Sequence, residues 1–171
     1  MQRSLVGSEM CIRDSYRIAT NSDIDSLVNM RIAYLNDDYG VLDEITEEKI
    51  KKSLPDYFSK HLNHDLFAYL SEDDNMCIVA TALLLVAEKP ANPNFITGKT
   101  GAVLNVYTDK NYRRLGIAKH LMEMLLSDAE KMRLDFVELK ATKDGYPLYK
   151  KIGFLEEKSN YTSMKYIFED N

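Results

Sequence analysis

Arg113, Arg114, Gly116 and Ala118 fall within six positions, at a point where a β-type run gives way to a helical one. The run Leu104-Asn105-Val106-Tyr107-Thr108 comes first, then Asp109–Tyr112, then Arg113-Arg114-Leu115-Gly116-Ile117-Ala118. The first N–H groups of a helix have no partner inside it. They point outward, and the helix dipole adds partial positive charge there. Gly116 lets a ligand approach the backbone closely, and small Ala118 keeps the next turn clear. Two guanidinium groups add fixed positive charge. Such a junction is a cradle for a diphosphate. The bare pattern R-x-x-G-x-[GA] arises by chance about once per 1,000 positions, so its place between a strand and a helix carries the reading.

The rest of the chain has to position that junction. Tyr16–Ala19 reads as a short strand. Thr20 follows as an N-cap, with Asp23 three residues on, where its charge suits the dipole. Ile24, Leu27, Val28, Arg31 and Leu35 recur at helical spacing until Asp38, Tyr39 and Gly40 stop the helix. A second helix starts at Thr46, with Ile50 and Leu54 on one face, and Pro55 interrupts or kinks it. Leu66–Leu70 and Met76–Val86 read as a hairpin around the turn cluster Ser71–Asn75. Lys89–Gly101, with Pro90, Pro93 and Gly98, reads as a loop. Ala102–Thr108 is the next strand, and Gly116–Met132 a long amphipathic helix. Phe136–Ala141 reads as a strand, Leu148–Ile152 as a short helix closed by Gly153, and Ser163–Phe168 as a last strand. The order βαα-ββ-β-α-β-α-β predicts one α/β domain with a mixed, mostly antiparallel sheet.

Composition narrows the functional classes. The 171 residues suit one domain, and 45% hydrophobic with 29% charged residues is an ordinary globular balance. A formal charge of −5 gives no global attraction to nucleic acid or anionic membranes. The longest apolar run, Cys77 to Ala87, is strand-sized, well short of the roughly 20 residues that span a bilayer. Cys11 and Cys77 make no metal or redox spacing, so a reducing cytoplasm is the expected compartment. Residues 1–15, MQRSLVGSEMCIRDS, have no signal-peptide layout. They resemble translated sequencing-adapter tails and are set apart as artefactual, leaving 16–171 as the domain.

YRRLGIAKHLM resembles the Q/R-x-x-G-x-G/A signature of the GNAT (GCN5-related) N-acetyltransferase family. ATKDGYPLYKKIGF, one strand later, resembles that family's tail, a short helix that carries a tyrosine and ends in Gly-Phe. The resemblance covers residues 102–154 and implies a single-domain GNAT-like fold, a twisted sheet flanked by helices. It also implies transfer of an acetyl group from acetyl-CoA to a primary amine of a small molecule or peptide. The backbone of Val106, Tyr107 and Thr108 is then expected to pair with the pantetheine arm and acetyl group. Arg113, Arg114, Leu115, Gly116, Ile117 and Ala118 would hold the pyrophosphate, with Lys119 close by. Thr142 stands where many members have asparagine. Tyr149 maps onto the tyrosine that protonates the departing thiolate. A phenol near 10 in pKa is matched to a thiol near 8.5.

Direct transfer also needs a neutral amine and a route for its proton. Family members often carry a glutamate on the central strand, but Ala102–Thr108 has no carboxylate. Asn105 is its strongly polar side chain and a candidate substrate contact. Asp37, Asp38 and Glu44 could attract a cationic amine or simply be solvated. No metal is expected, nor a nucleic-acid or membrane partner, and the chain is expected to be a monomer or homodimer. The alternative reading is an inactive acyl-CoA-binding sensor or scaffold of the same fold.

Other signals are set aside. Thr97-Gly98-Lys99-Thr100 ends like a P-loop, but Pro93 stands where that pattern needs glycine. His61, His64 and Asp65 read as surface residues near a helix end, and His120 as a solvated helix residue. Cys77 reads as a buried small hydrophobe in an apolar strand.

Overall fold

The computed structural model describes residues 15–168. All of the set-apart tail except Ser15 lies outside the described residues. The chain forms two compact units, one up to Lys140 and one from Ala141.

In the first unit, five strands lie side by side in chain order: β1 (Ser15–Ile18), β2 (Leu66–Glu72), β3 (Ile78–Glu88), β4 (Lys99–Thr108) and β5 (Val137–Glu138). The first three pairings are antiparallel and the last is parallel. Two helices, α1 (Ile24–Tyr39) and α2 (Glu44–His61), separate β1 from β2. A third, α3 (Ile117–Lys131), makes the crossover that a parallel β4–β5 pair requires.

The apolar periodicity explains the packing. In α3, Ile117, Leu121, Met122, Leu125 and Ala129 form one buried face. From α1 and α2, Leu27, Val28 and Phe58 join Leu66, Ala68, Leu70 and Leu83 of the sheet in a core cluster. Buried Tyr69 of β2 donates its hydroxyl to Asp128 Oδ2 of α3 at 3.2 Å. Burial, with Asp128 beside it, pushes that phenol well above its usual range.

Three local expectations are corrected. First, α2 runs unbroken through Pro55. A mid-helix proline costs about 3 kcal/mol, and the packing of Phe58 and Leu54 against the core offsets it. The helix also begins earlier, capped by Asp43, whose carboxylate accepts from the Thr46 N–H at 3.0 Å. Second, Cys77 is exposed, because β3 begins one residue later and Cys77 belongs to the turn held by Asp73. Third, Ser163–Phe168 forms no strand. Met164, Tyr166 and Phe168 alternate as a strand face would, yet all are exposed. Without a paired edge an extended segment has no stability of its own.

The Thr20–Asp23 pattern forms the expected local cap. The Thr20 N–H donates to Asp23 Oδ2 at 2.7 Å, and a 3-10 turn over Asn21–Asp23 leads into α1. Asp23 also receives both terminal nitrogens of Arg17 at 2.7 Å, and Glu72 of β2 takes Arg17 Nε at 2.9 Å. The cluster ties β1 to β2 and to the entry of α1. Hydrogen bonding to Arg17 holds the Asp23 carboxyl down from 3.8 to about 2. A depressed carboxylate pKa stabilises the fold above the unfolded value, and that contribution is lost as the pH falls through the folded one. Its weight is roughly 1–2 kcal/mol after allowing for solvent at Arg17. Urea unfolding should therefore show a loss of stability between about pH 4 and pH 2. Asp23→Asn should be less stable at neutral pH and should lack that part of the acid dependence. An unchanged acid profile in the variant would remove this cluster from the account.

Candidate functional site

The site begins with an irregularity in β4. Leu83 pairs with Leu104 and Thr81 with Tyr107, so Asn105 and Val106 together oppose the single residue Ala82. This is a β-bulge. Asn105 takes up the strain at φ 53°, a left-handed conformation that asparagine tolerates better than most residues. Its side chain is turned inward. Nδ2 donates to Thr81 Oγ1 at 2.9 Å, and Oδ1 accepts from Arg31 Nη1 of α1 at 3.3 Å.

On its other side β4 is paired only at its beginning. Gly101 faces Val137 and Ala102 faces Glu138, and there the pairing with β5 ends. From Val103 to Thr108 no strand among the described residues covers that edge. An open strand edge offers N–H and C=O groups to an extended, amide-bearing ligand. Val106 and Thr108 are half-buried on this stretch, and Tyr107 is buried. The Thr108 carbonyl already accepts from Arg113 Nε at 2.9 Å.

The edge runs into the glycine junction. A 3-10 turn over Lys110–Tyr112, capped by Asp109, leads to Arg113 in an extended conformation. Arg114 then has φ 63° and Gly116 φ 82°. Left-handed residues this close turn backbone N–H groups toward one concavity. No side chain among the described residues caps α3, so its first N–H groups lack a side-chain partner. A Cβ built on Gly116 would meet no atom of the described residues within 4 Å. The space beside Gly116 is therefore open, as an approaching phosphate requires.

The side chains of this stretch divide by role. Ile117 is buried in the core and can offer only its N–H. Leu115 is exposed and Ala118 half-buried. Lys119 Nζ lies 3.3 Å from Glu123, so its charge is partly engaged.

The two arginines differ. Arg113 Nη2 pairs with Asp37 of α1 at 2.8 Å, and its guanidinium lies over the Tyr107 ring at 5.6 Å. Arg113 thus braces α1 against the turn. Hydrogen bonding to Arg113 holds the Asp37 carboxyl below its usual range. Arg114 makes no ion pair among the described residues. Asp37 also meets Lys110 at 3.4 Å, and Asp38 accepts from the Tyr34 hydroxyl at 3.3 Å. Asp37 is therefore already neutralised.

In the second unit, α4 (Tyr146–Lys151) carries Tyr149. Thr142 precedes the helix, and its Oγ1 accepts from the Gly145 N–H at 3.1 Å. Gly153 has φ 106°, and the chain turns back so that the Phe154 N–H reaches the Tyr149 carbonyl at 2.9 Å. The Tyr149 and Phe154 rings meet edge to face at 5.9 Å. Gly145 seats the tyrosine from the other side. A Cβ there would lie 2.8 Å from Tyr149 Cε2 and 3.3 Å from Thr142 Oγ1. The Gly-Phe landmark and Gly145 thus fix where this ring lies.

Sequence reasoning passed over two of these residues. Gly145 left no signal, because its role depends on a ring four residues on. Arg31 did leave one, a charge in an otherwise apolar helical stripe from Ile24 to Leu35. Among the described residues no cluster of three or more His, Cys, Asp or Glu could hold a metal ion. No helix among them is long and apolar enough to cross a membrane.

The acetyltransferase (GNAT) family model matches residues 30–154. Among solved structures, the chain is similar to a predicted acetyltransferase with acetyl-CoA from Clostridium acetobutylicum. Identity is 32% and the TM-score 0.77, over 89% of this chain and 96% of that one. A GCN5-related N-acetyltransferase from Ralstonia eutropha JMP134 matches at 24% identity and TM-score 0.74, over 88% and 98%. Glucosamine-6-phosphate N-acetyltransferase from Arabidopsis thaliana matches at 21% and 0.62, over 90% and 99%. The last two likenesses bear on fold alone. No curated protein matches the chain.

Proposed function

Since the chain belongs to the GNAT acetyltransferase family of enzymes, we propose that it moves an acetyl group from acetyl-CoA to the primary amine of a small molecule or peptide. The observation that carries this reading is the open edge of β4, which leads from the Asn105 bulge to the left-handed turn at Gly116. One end suits an extended, amide-bearing arm and the other a diphosphate. The Clostridium acetobutylicum relative was crystallised with acetyl-CoA.

Each residue has a role in this scheme. The backbone of Val106, Tyr107 and Thr108 lines the arm and offers an N–H to the carbonyl oxygen as charge develops there. The N–H groups from Arg114 to Ala118 and the Arg114 guanidinium hold the diphosphate, with Lys119 at its flank. Arg113 holds the turn through Asp37, and Thr142 adds a polar contact.

Acetyl-CoA supplies an activated thioester carbonyl. The amine nitrogen forms the new N–C bond as the C–S bond breaks. The proton from nitrogen passes to water or to a base outside β4, which carries no carboxylate. Tyr149 gives its hydroxyl proton to the departing sulfur. A cytoplasmic setting suits Cys77, a free and exposed thiol.

Thiol release from acetyl-CoA in the presence of varied amines tests this reading, with mass spectrometry of the acetylated product. Amine-dependent release with matching product supports it. Tight coenzyme A binding without turnover on any amine would favour the sensor alternative.

A further inference from the structure

A cavity of about 410 Å³ opens beside the β4 bulge, within the roughly 300–1,000 Å³ range of small-molecule sites. Its walls include Leu54, Tyr57 and Phe58 of α2, Leu83 of β3 and Leu104 of β4. Among the described residues that line it, Arg31 is the one charged side chain.

Arg31 is unlike the arginines that brace the fold. Arg17 is neutralised by Asp23 and Glu72, and Arg113 by Asp37. Arg31 has no carboxylate within ion-pair distance among the described residues. Its partners are Asn105 Oδ1 at 3.3 Å and the Tyr34 ring, 5.3 Å from the guanidinium carbon. Both are uncharged. A half-buried guanidinium has five donors in a planar fork, and Asn105 takes one of them. The bulge and Thr81 hold Asn105 in turn. The amide orients the cation without cancelling its charge.

We infer that the acceptor amine carries its own carboxylate beside an apolar body, in the manner of an apolar α-amino acid, and that Arg31 binds the carboxylate. This rests on the acetyl-transfer reading above. One guanidinium matches one carboxylate in charge and in fork geometry. The apolar walls accommodate a hydrocarbon side chain. Arg31 lies against the bulge where the open edge of β4 begins, so the anion and the reacting amine are neighbours. A carboxylate next to an ammonium keeps it protonated, and pairing that carboxylate with a cation removes the effect. That suits a strand that carries no base. Asn105 is a positioning residue, acting through Arg31.

The test compares kcat/KM for leucine, methionine and phenylalanine with that for their methyl esters and for the amines lacking the carboxylate. The acids should be preferred at least ~10-fold, the scale of a hydrogen bond to a charged group. The difference should lie mainly in KM. Arg31→Gln should bring the acid-to-amine ratio toward one, with unchanged acetyl-CoA affinity as the sign of an intact fold. Asn105→Asp should do the same while nearly conserving shape, because it puts an internal carboxylate against Arg31. Esters and amines acetylated as fast as the acids would overturn the Arg31 assignment and leave acetyl transfer standing. A preference that survives both substitutions would also overturn it. No turnover on any member of the panel, with acetyl-CoA bound, would overturn the amino-acid assignment, while acetyl transfer itself is judged on the wider set of amines.

Discussion

Gly116→Glu is expected to abolish coenzyme A binding, with a loss of at least ~100-fold in affinity by isothermal titration. Two effects combine. A carboxylate would stand where a diphosphate must approach, and like charges a few ångströms apart in a partly desolvated site repel by several kcal/mol. The side chain would also fill the space that the bare backbone leaves open. The protein itself has room for it, since a Cβ on Gly116 meets nothing within 4 Å. Its internal cost is conformational, because φ 82° disfavours any side chain by roughly 1–2 kcal/mol. Gly116→Ala separates the contributions. It carries the same backbone strain without charge or length, and should lose much less affinity than the glutamate. Unchanged affinity in Gly116→Glu would refute the cradle and the proposal built on it.

Tyr149→Phe is expected to bind acetyl-CoA normally and to turn over at least ~10-fold more slowly, as loss of a general acid predicts. The phenylalanine keeps the ring between Gly145 and Phe154, so its seat is preserved. What disappears is the proton donor. The effect should fall on kcat, because a group that acts on the departing sulfur contributes in the transition state. Single-turnover thiol release isolates that step from product release. Equal rates for the two proteins would take Tyr149 out of the mechanism and leave water to protonate the sulfur.

How much of this was legible beforehand depended on range along the chain. The glycine junction was readable because every part of it is local. A helix start exposes its own N–H groups, glycine permits its own φ, and the arginines stand one and two residues away from the intervening leucine. The same holds for Thr20 and Asp23, which meet within one turn. Local reasoning failed where packing outweighed it. Pro55 was expected to interrupt or kink α2; the helix is not interrupted, and Phe58 and Leu54 pack it onto the core on either side of the proline. Cys77 was assigned to a strand that starts one residue later. Ser163–Phe168 has the alternation of a strand, but a strand exists only through its partner.

By itself, then, the sequence pointed to the nature of the chemistry: a helix start expected to receive a phosphate, a tyrosine before a Gly-Phe turn, and a central strand without a carboxylate. Tertiary structure decided how charge is distributed around that chemistry. Arg113 and Asp37 are 76 positions apart, and Arg31 and Asn105 are 74 apart. Periodicity cannot pair residues at such distances. Among the described residues, folding engages Arg113 with a carboxylate and leaves Arg114 and Arg31 without one. The bulge at Asn105 likewise depends on register with β3, which no single strand carries in its own residues. A guanidinium next to a carboxylate braces the fold, whereas one beside a neutral amide can still bind an anion, and only the folded chain shows which arginine is which.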